Sequence, residues 1–500
     1  MNTVAFSFAT LNAGLAYPEI FLLAASCVLL VGDLFMPPHG RDTRLTLAGV
    51  VIFAITAVLV ITGNQPQSSG LMLSAKALSP QYAFSNMFVV DGMSTLLKVA
   101  MLLSMAVVLV YSRAYMVARN IFTTEFVALL LFATLGMMLM VSANNFVPLY
   151  LGLELLALSS YALVAINRDS AVSTEAAMKY FILGALASGL LLYGMSMIYG
   201  ATGGSLDIDH IAKTVAYNQA KDPLVSFGVV FIIAGLAFKL GVVPFHMWVP
   251  DVYHGAPTPV TLFIGSAPKI AAFGFLIRIV ADGLGGASGD WQGMLVILAV
   301  LSIGLGNLIA ISQTNLKRML AYSTISHMGF LLLGVLAASR EGYAAGMFYV
   351  ITYAITALAS FGVILLLSRT GFEADELVDL KGLNKRSPWV AFLMLIVAVS
   401  LAGIPLTAGF FAKLAVLEAA LKAGFLWVVV FAVVMSVIGA FYYLRVIKLM
   451  YFDEPTDNHP IEGTSGMHAL LSVNALTILV FGLFPGALIS ACMAAINRTL

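Results

Sequence analysis

Fourteen apolar runs, separated by short polar intervals, account for most of the chain. They fall near residues 15–36, 44–62, 91–112, 123–142, 145–166, 174–199, 222–253, 259–281, 290–312, 316–337, 341–368, 388–421, 424–451 and 467–490. A helix needs about 20 apolar residues to cross the hydrocarbon core of a bilayer, and each run meets that length. Two runs are interrupted: 222–253 by Gly241 and Pro244, and 388–421 by Gly403, Pro405 and Gly409. The gaps 63–90 and 200–221 read as loops, with 207–217 as a short surface helix, and no soluble domain fits between the runs. The pattern predicts an all-α polytopic membrane protein with about fourteen transmembrane helices, the seventh and twelfth broken.

Composition sharpens this. The 500 residues are 61% hydrophobic and 10% charged, with a mean hydropathy of +1.00, whereas a soluble chain carries about 25% charge. A net charge of +1 without a basic cluster gives no footing for nucleic acid. The two cysteines, Cys27 and Cys492, lie far apart in apolar runs, and no CxxC, metal or haem spacing occurs. The N-terminus lacks the positive segment of a signal peptide, so the first run is expected to stay as an anchor. Loops after odd-numbered runs hold thirteen Lys and Arg, from Arg41 to Lys448. The even loops and the C-terminus hold six, from Lys76 to Arg498. This bias predicts odd loops on the cytoplasmic side and both termini opposite.

Ionisable residues inside the runs carry the candidate chemistry. An ammonium at bilayer depth costs about 3 kcal/mol or more. Proline removes a backbone donor and ends the helix, and freed carbonyls survive in a membrane only where protein or a watery cavity covers them. Lys239 precedes the first break and Lys413 follows the second, so each reads as part of an ion path. Glu154, in the fifth run, is the natural partner of Lys239. Lys269, after Pro268, and Lys179, near the start of the sixth run, join the candidates, although either side chain can instead reach an interface. His327 is the histidine in the middle of a run, with a ring suited to proton relay; a histidine bonded to a serine is the alternative. His254 marks a possible entry, Asp91 and Lys98 read as a structural pair seven residues apart, and Lys98 and Arg278 can snorkel.

Two Gly/Pro-interrupted runs five helices apart suggest inverted repeats. The units are 123–281 and 290–451, flanked by 1–122 and 452–500. An odd number of helices per unit inverts the second one, and the reversed order of lysine and proline at the breaks is taken to agree.

The segments LGLELLALSSYALVA (151–165), EAAMKYFILGALASGLLLYG (175–194), KLGVVPFHMWVPDVYHGAPTPVT (239–261), LKRMLAYSTISHMG (316–329) and GIPLTAGFFAKL (403–414) resemble the antiporter-like subunits of respiratory complex I, the proton-pumping NADH:quinone oxidoreductase. The resemblance covers nearly the whole chain. The YHGAPTPVT ending and the absence of a long lateral helix after the last run favour members without that helix. It implies a bacterial inner-membrane protein that moves protons, driven by redox chemistry elsewhere. It further implies that Glu154 and Lys239 form the family's Glu–Lys pair, Lys269 its connecting lysine and Lys413 its terminal one. His327 falls where relatives carry His or Lys, and Lys179 matches a lysine of less settled role. NADH, FMN, iron–sulfur clusters and quinone would bind other subunits, with no cofactor on this chain. The implied partners are other membrane-arm subunits and lipid, and no nucleic acid. A multisubunit cation/proton antiporter, a membrane-bound hydrogenase and a passive scaffold stay open as alternatives.

Overall fold

A computed structural model describes residues 11–35, 37, 39–63, 80–217, 222–457, 459–461 and 463–500. The start of the chain and the loop residues Lys76 and Lys221 lie outside them. The N-terminal group is α1 (Tyr17–Gly32), α2 (Arg41–Gly63) and α3 (Gly92–Ala118), with a small hairpin of β1 (Gln81–Ala83) and β2 (Phe88–Val90) leading into α3. Then follow α4 (Thr124–Ser142), α5 (Phe146–Val164), α6 (Ala171–Ala201) and the short α7 (Ile208–Tyr217), which occupies the expected surface segment. The seventh crossing is split into α8 (Pro223–Leu240) and α9 (Trp248–Gly255), and the eighth into α10 (Thr258–Gly265) and α11 (Ala267–Ile277). Next come α12 (Ser288–Ser312), α13 (Leu316–Leu336), α14 (Arg340–Leu367) and the one-turn α15 (Leu383–Arg386). The twelfth crossing is split into α16 (Pro388–Ala402) and α17 (Ala408–Lys422), followed by α18 (Leu426–Phe452), α19 (Ser465–Leu483) and α20 (Gly486–Asn497).

Among the described residues, 13 helices are long and apolar enough to cross a membrane. The pair α16 and α17 supplies the fourteenth crossing. Helix starts follow local chemistry: Thr123, Asn145, Ser170, Asp222, Asn315 and Ser339 each accept a hydrogen bond from a backbone N–H of the first turn. The hairpin at 81–90 falls in a gap read from sequence as loop, and α20 follows a stop at Pro485 inside the expected fourteenth run.

Burial is graded from the centre outwards. The spans Thr258–Gly283, Leu316–Leu336 and Arg340–Leu367 are buried almost entirely in protein, whereas α1, α6 and α18 expose most of their length. In lipid the apolar effect does not drive helix pairing, so close packing must. At the α4–α5 crossing, a β-carbon on Gly136 would lie 2.6 Å from the Gly152 carbonyl oxygen, which is why glycine stands there.

Two sequence expectations are corrected. Asp91 and Lys98 do not pair, because two helical turns separate them by about 10 Å and Asp91 caps α3 through Ser94 N–H. Lys98 instead meets Glu19 of α1 at 2.6 Å, and Asp91 meets Arg278 at 2.6 Å. Nor do Lys98 and Arg278 snorkel: both are buried, and Arg278 donates from Nε and Nη2 to the Val141 carbonyl that ends α4.

Candidate functional site

The breaks in the seventh and twelfth crossings share one backbone design, whereas the eighth, read from sequence as continuous, is interrupted at Ser266. α8 ends at Gly241 (φ 78°) and α16 at Gly403 (φ 82°), both left-handed. Gly241 N–H returns to the carbonyls of Ala237 and Phe238, and Gly403 N–H to those of Val399 and Ser400, at 2.9–3.1 Å. This is the glycine-terminated C-cap, and proline follows in each case. A twofold rotation keeps the order of features along a chain, so the two breaks match in the same direction. The reversed placement of Lys239 and Lys413 therefore says nothing about inversion.

Such an ending leaves carbonyls of the last turn facing inward with the negative end of the helix dipole, where a cation is favoured. At the first break, Lys269 Nζ donates to the Leu240 carbonyl at 2.8 Å and sits 5.2 Å from the Trp248 ring centroid. At the second, Lys413 Nζ donates to Leu401 O (3.1 Å), Ala402 O (3.0 Å) and Ser436 Oγ (3.0 Å), 5.1 Å from the Phe330 ring centroid. Lys269 is 1% exposed and Lys413 9%. By position at the break, the counterpart of Lys413 is thus Lys269, which enters from the next crossing.

Lys239 lies in the last turn of α8, half-buried, with no hydrogen bond or ion pair among the described residues. The expected direct contact with Glu154 is not formed. Glu154, also half-buried, is hydrogen-bonded to the Ser188 hydroxyl, which lies 3.1 Å from Tyr150 Oη. Lys179 stands apart at a helix surface, paired with Glu175 and Asp251 at 2.9 Å each, and Arg318 holds the other oxygen of Asp251 at 3.1 Å. Those bonds tie α9 to α6 and α13.

Between the breaks, His327 of α13 is buried with Nδ1 2.6 Å from Tyr349 Oη and Nε2 3.2 Å from Tyr443 Oη. Tyr443 Oη lies 2.5 Å from Ser323 Oγ. Beside the ring is a cavity of about 10 Å³, lined by His327, Thr352, Ser400, Leu401 and Gly409 among others. That is room for about one water. Thr352 Oγ1, buried on its wall, has no hydrogen-bond partner among the described residues. Leu401 belongs both to this cavity and, through its carbonyl, to Lys413. Chemically, the assembly is a row of separated ammonium, imidazole and hydroxyl groups in an apolar interior, groups that can bind and release protons. Among the described residues, no group of three His, Cys, Asp or Glu is placed to hold a metal.

Sequence reasoning missed the hydroxyls. Ser188, Ser302 (which accepts from Val243 N–H at 2.9 Å), Ser436, Tyr349 and Tyr443 all support the row. Serine and tyrosine are common in apolar runs, and nothing in their spacing separates these from the rest.

Comparison with known proteins bears on the family and the fold. Residues 143–439, which contain both breaks together with Glu154, Lys239, Lys269, His327 and Lys413, match the family described as NADH:quinone oxidoreductase/Mrp antiporter, transmembrane. The chain is 53% identical over 485 residues to NADH-quinone oxidoreductase subunit N of Nitrosomonas europaea, covering 97% of this chain and 98% of that one. It is 55% identical over 484 residues to subunit N of Methylovorus glucosotrophus, again covering 97% and 98%. Its fold superposes on a chain of respiratory complex I from Thermus thermophilus with a TM-score of 0.79 at 30% identity, covering 96% of this chain and all of that one. A chain of the Mrp complex from a Dietzia species has the same fold, with a TM-score of 0.80 at 24% identity and 97% of each chain covered. The chain thus belongs to the NADH:quinone oxidoreductase/Mrp antiporter transmembrane family, among the subunit N members of respiratory complex I.

Proposed function

We propose that this chain is a proton-translocating subunit of the membrane arm of NADH:quinone oxidoreductase, with Glu154, Lys239, Lys269, His327 and Lys413 as its relay. The carrying observation is the pair of glycine-ended breaks, each with a buried lysine on its freed carbonyls. Keeping ammonium groups this deep is costly, and a scaffold has no need of them. The relatives named above, NADH-quinone oxidoreductase subunits N, support the setting, and in this reading the NADH, FMN, iron–sulfur and quinone sites lie in other chains. The residues 123–281 and 290–451 act as two inverted five-helix repeats, odd loops face the cytoplasm, and both termini face the periplasm.

In the resting arrangement the Glu154 carboxylate stabilises the Lys239 ammonium through space. When a neighbouring subunit draws that charge away, the Lys239 proton moves to Lys269, then past His327 to Lys413 and out. Two unit charges about 4–6 Å apart interact by about 3–4 kcal/mol at an effective dielectric constant of about 20. Moving one charge against about 150 mV costs about 3.5 kcal/mol. Switching one such pair therefore suffices for about one proton per cycle. Lys179, in its surface pairs with Glu175 and Asp251, positions α9 in this scheme without carrying the proton.

The test is NADH-driven proton uptake by membrane vesicles carrying Lys239→Ala, with quinone-reductase turnover and assembly measured alongside. The expected result is an assembled complex whose pumping and coupled turnover fall sharply. Wild-type pumping in an assembled Lys239→Ala complex refutes the relay and favours the scaffold.

A further inference from the structure

At the face carrying the odd loops, the segment between α14 and α15 turns Glu373 inward. Glu373 Oε2 accepts from Tyr115 Oη of α3 (2.8 Å) and from Nη2 of Arg119 just past its end (2.9 Å), and Oε1 accepts from the Thr258 hydroxyl at the start of α10. Lys317, in the first turn of α13, lies 3.9 Å from Glu373 Oε1 and 3.8 Å from Asp375 Oδ2. The carboxylate side chains are 25% and 17% exposed, whereas the lysine is 5% exposed. The cluster thus touches solvent on one side and a buried ammonium on the other. Lys317 also donates to the Ala256 carbonyl just past α9, at 3.4 Å.

A line of hydroxyls runs inward from there. Thr324 is seven residues beyond Lys317 on α13, hence on the same helix face about 10 Å deeper. Its Oγ1 accepts from Tyr353 Oη at 2.7 Å, and the Tyr353 ring lies 5.3 Å from the His327 ring. Tyr253, on α9 three residues before Ala256, is wholly buried, and its hydroxyl makes no well-formed hydrogen bond among the described residues. Thr324 and Tyr353 are side chains that bear on this hydroxyl. A buried hydroxyl without a partner is unfavourable, and phenylalanine would fill the same space without that cost.

We propose that protons enter the second half of the relay at the Glu373–Asp375–Lys317 cluster and reach His327 through the hydroxyls of Tyr253, Thr324 and Tyr353. This rests on the proton-translocating reading above. The charged and titratable groups facing the entrance are Tyr115 from α3 and Arg119 just past its end, His254 from α9, Lys317 and Arg318 from α13, and Asp375 and Glu376 from the same segment as Glu373. The carboxylates collect protons, the guanidinium and ammonium keep Glu373 turned inward, and the hydroxyls pass a proton by donating to one neighbour while accepting from another.

The experiment measures NADH-driven proton uptake and quinone-reductase turnover of the whole complex in vesicles between about pH 6 and about pH 9. The variants are Glu373→Gln, Tyr253→Phe, Thr324→Val, Thr324→Ser and, as a control, Lys413→Ala. Removing one hydroxyl is expected to slow pumping about tenfold at the alkaline end, where protons are scarce, with little change near pH 6. Thr324→Ser, which keeps the hydroxyl, restores the wild-type profile. If Glu373→Gln fails to assemble, Tyr253→Phe and Thr324→Val decide, since each removes a hydroxyl with little change of shape. Wild-type pH profiles in both, with Lys413→Ala impaired, overturn the entry alone. A drop of equal size at every pH overturns it too, because that marks a packing defect. Normal pumping by Lys413→Ala overturns the proton-translocating reading instead.

Discussion

Gly403→Ala probes the second break without touching a charged residue. A β-carbon at Gly403 would lie 2.8 Å from Lys413 Cδ and 3.2 Å from Lys413 Nζ. The side chain that supplies the ammonium must therefore move. Alanine at φ 82° also costs about 1–2 kcal/mol of backbone strain, which by itself affects stability and not pumping. Lys413 Nζ has three oxygen partners, and a hydrogen bond to a charged group contributes about 1.5–3 kcal/mol. Losing one displaces the ammonium by an energy equal to about one to two decades in rate. Gly424 is the control: it has φ 89° and nothing within 4 Å of an added β-carbon, so Gly424→Ala carries the backbone strain alone. Proton uptake and heat inactivation of both variants are measured in assembled complexes. The expected outcome is similar loss of heat stability in the two, with pumping reduced about tenfold or more only in Gly403→Ala. Equal pumping by the two variants refutes the assignment of Lys413 to a position-sensitive step.

Two further outcomes follow from the buried and surface ion pairs. Glu19→Leu or Lys98→Met alone strands one charge in the interior and is expected to cost about 3–5 kcal/mol, whereas the double replacement is expected to be near neutral; heat inactivation of the complex distinguishes them, and additivity of the single effects refutes the pairing. Asp457 in the segment after α18 is held by Arg369 at 2.7 Å, accepts from His459 N–H and faces Arg386, which keeps its carboxyl down at about 2. Because the folded value is depressed, this clamp is complete above about pH 4 and is lost as the pH falls toward about 2. Pepsin cleavage of the segment between α18 and α19 should therefore rise over that interval in the wild type, while Asp457→Asn is already cleaved faster at about pH 4; equal cleavage of the two at that pH counts against the clamp.

Fourteen crossings, the two breaks and the buried ionisable residues were legible because a bilayer imposes strong local rules. A run of about 20 apolar residues has few uses outside a membrane, and glycine followed by proline stops a helix wherever it falls. Lys239, Lys269 and Lys413 stood out for the same reason, as charges in sequence that otherwise excludes them. Partnership is a different matter. Asp91 and Lys98 share a helix face, yet Arg278 and Glu19, 187 and 79 residues away in sequence, claim them. Glu154 was expected against Lys239, but a serine from a third helix takes the carboxylate. The sequence by itself determined the crossings, their interruptions and which residues are costly enough in lipid to demand a use. Only the tertiary structure decided that Lys269 and Lys413 occupy the freed carbonyls of the two breaks and that tyrosines flank His327. A hydrogen bond between crossings depends on angles and depths set by the packing of many helices, and no local pattern encodes them.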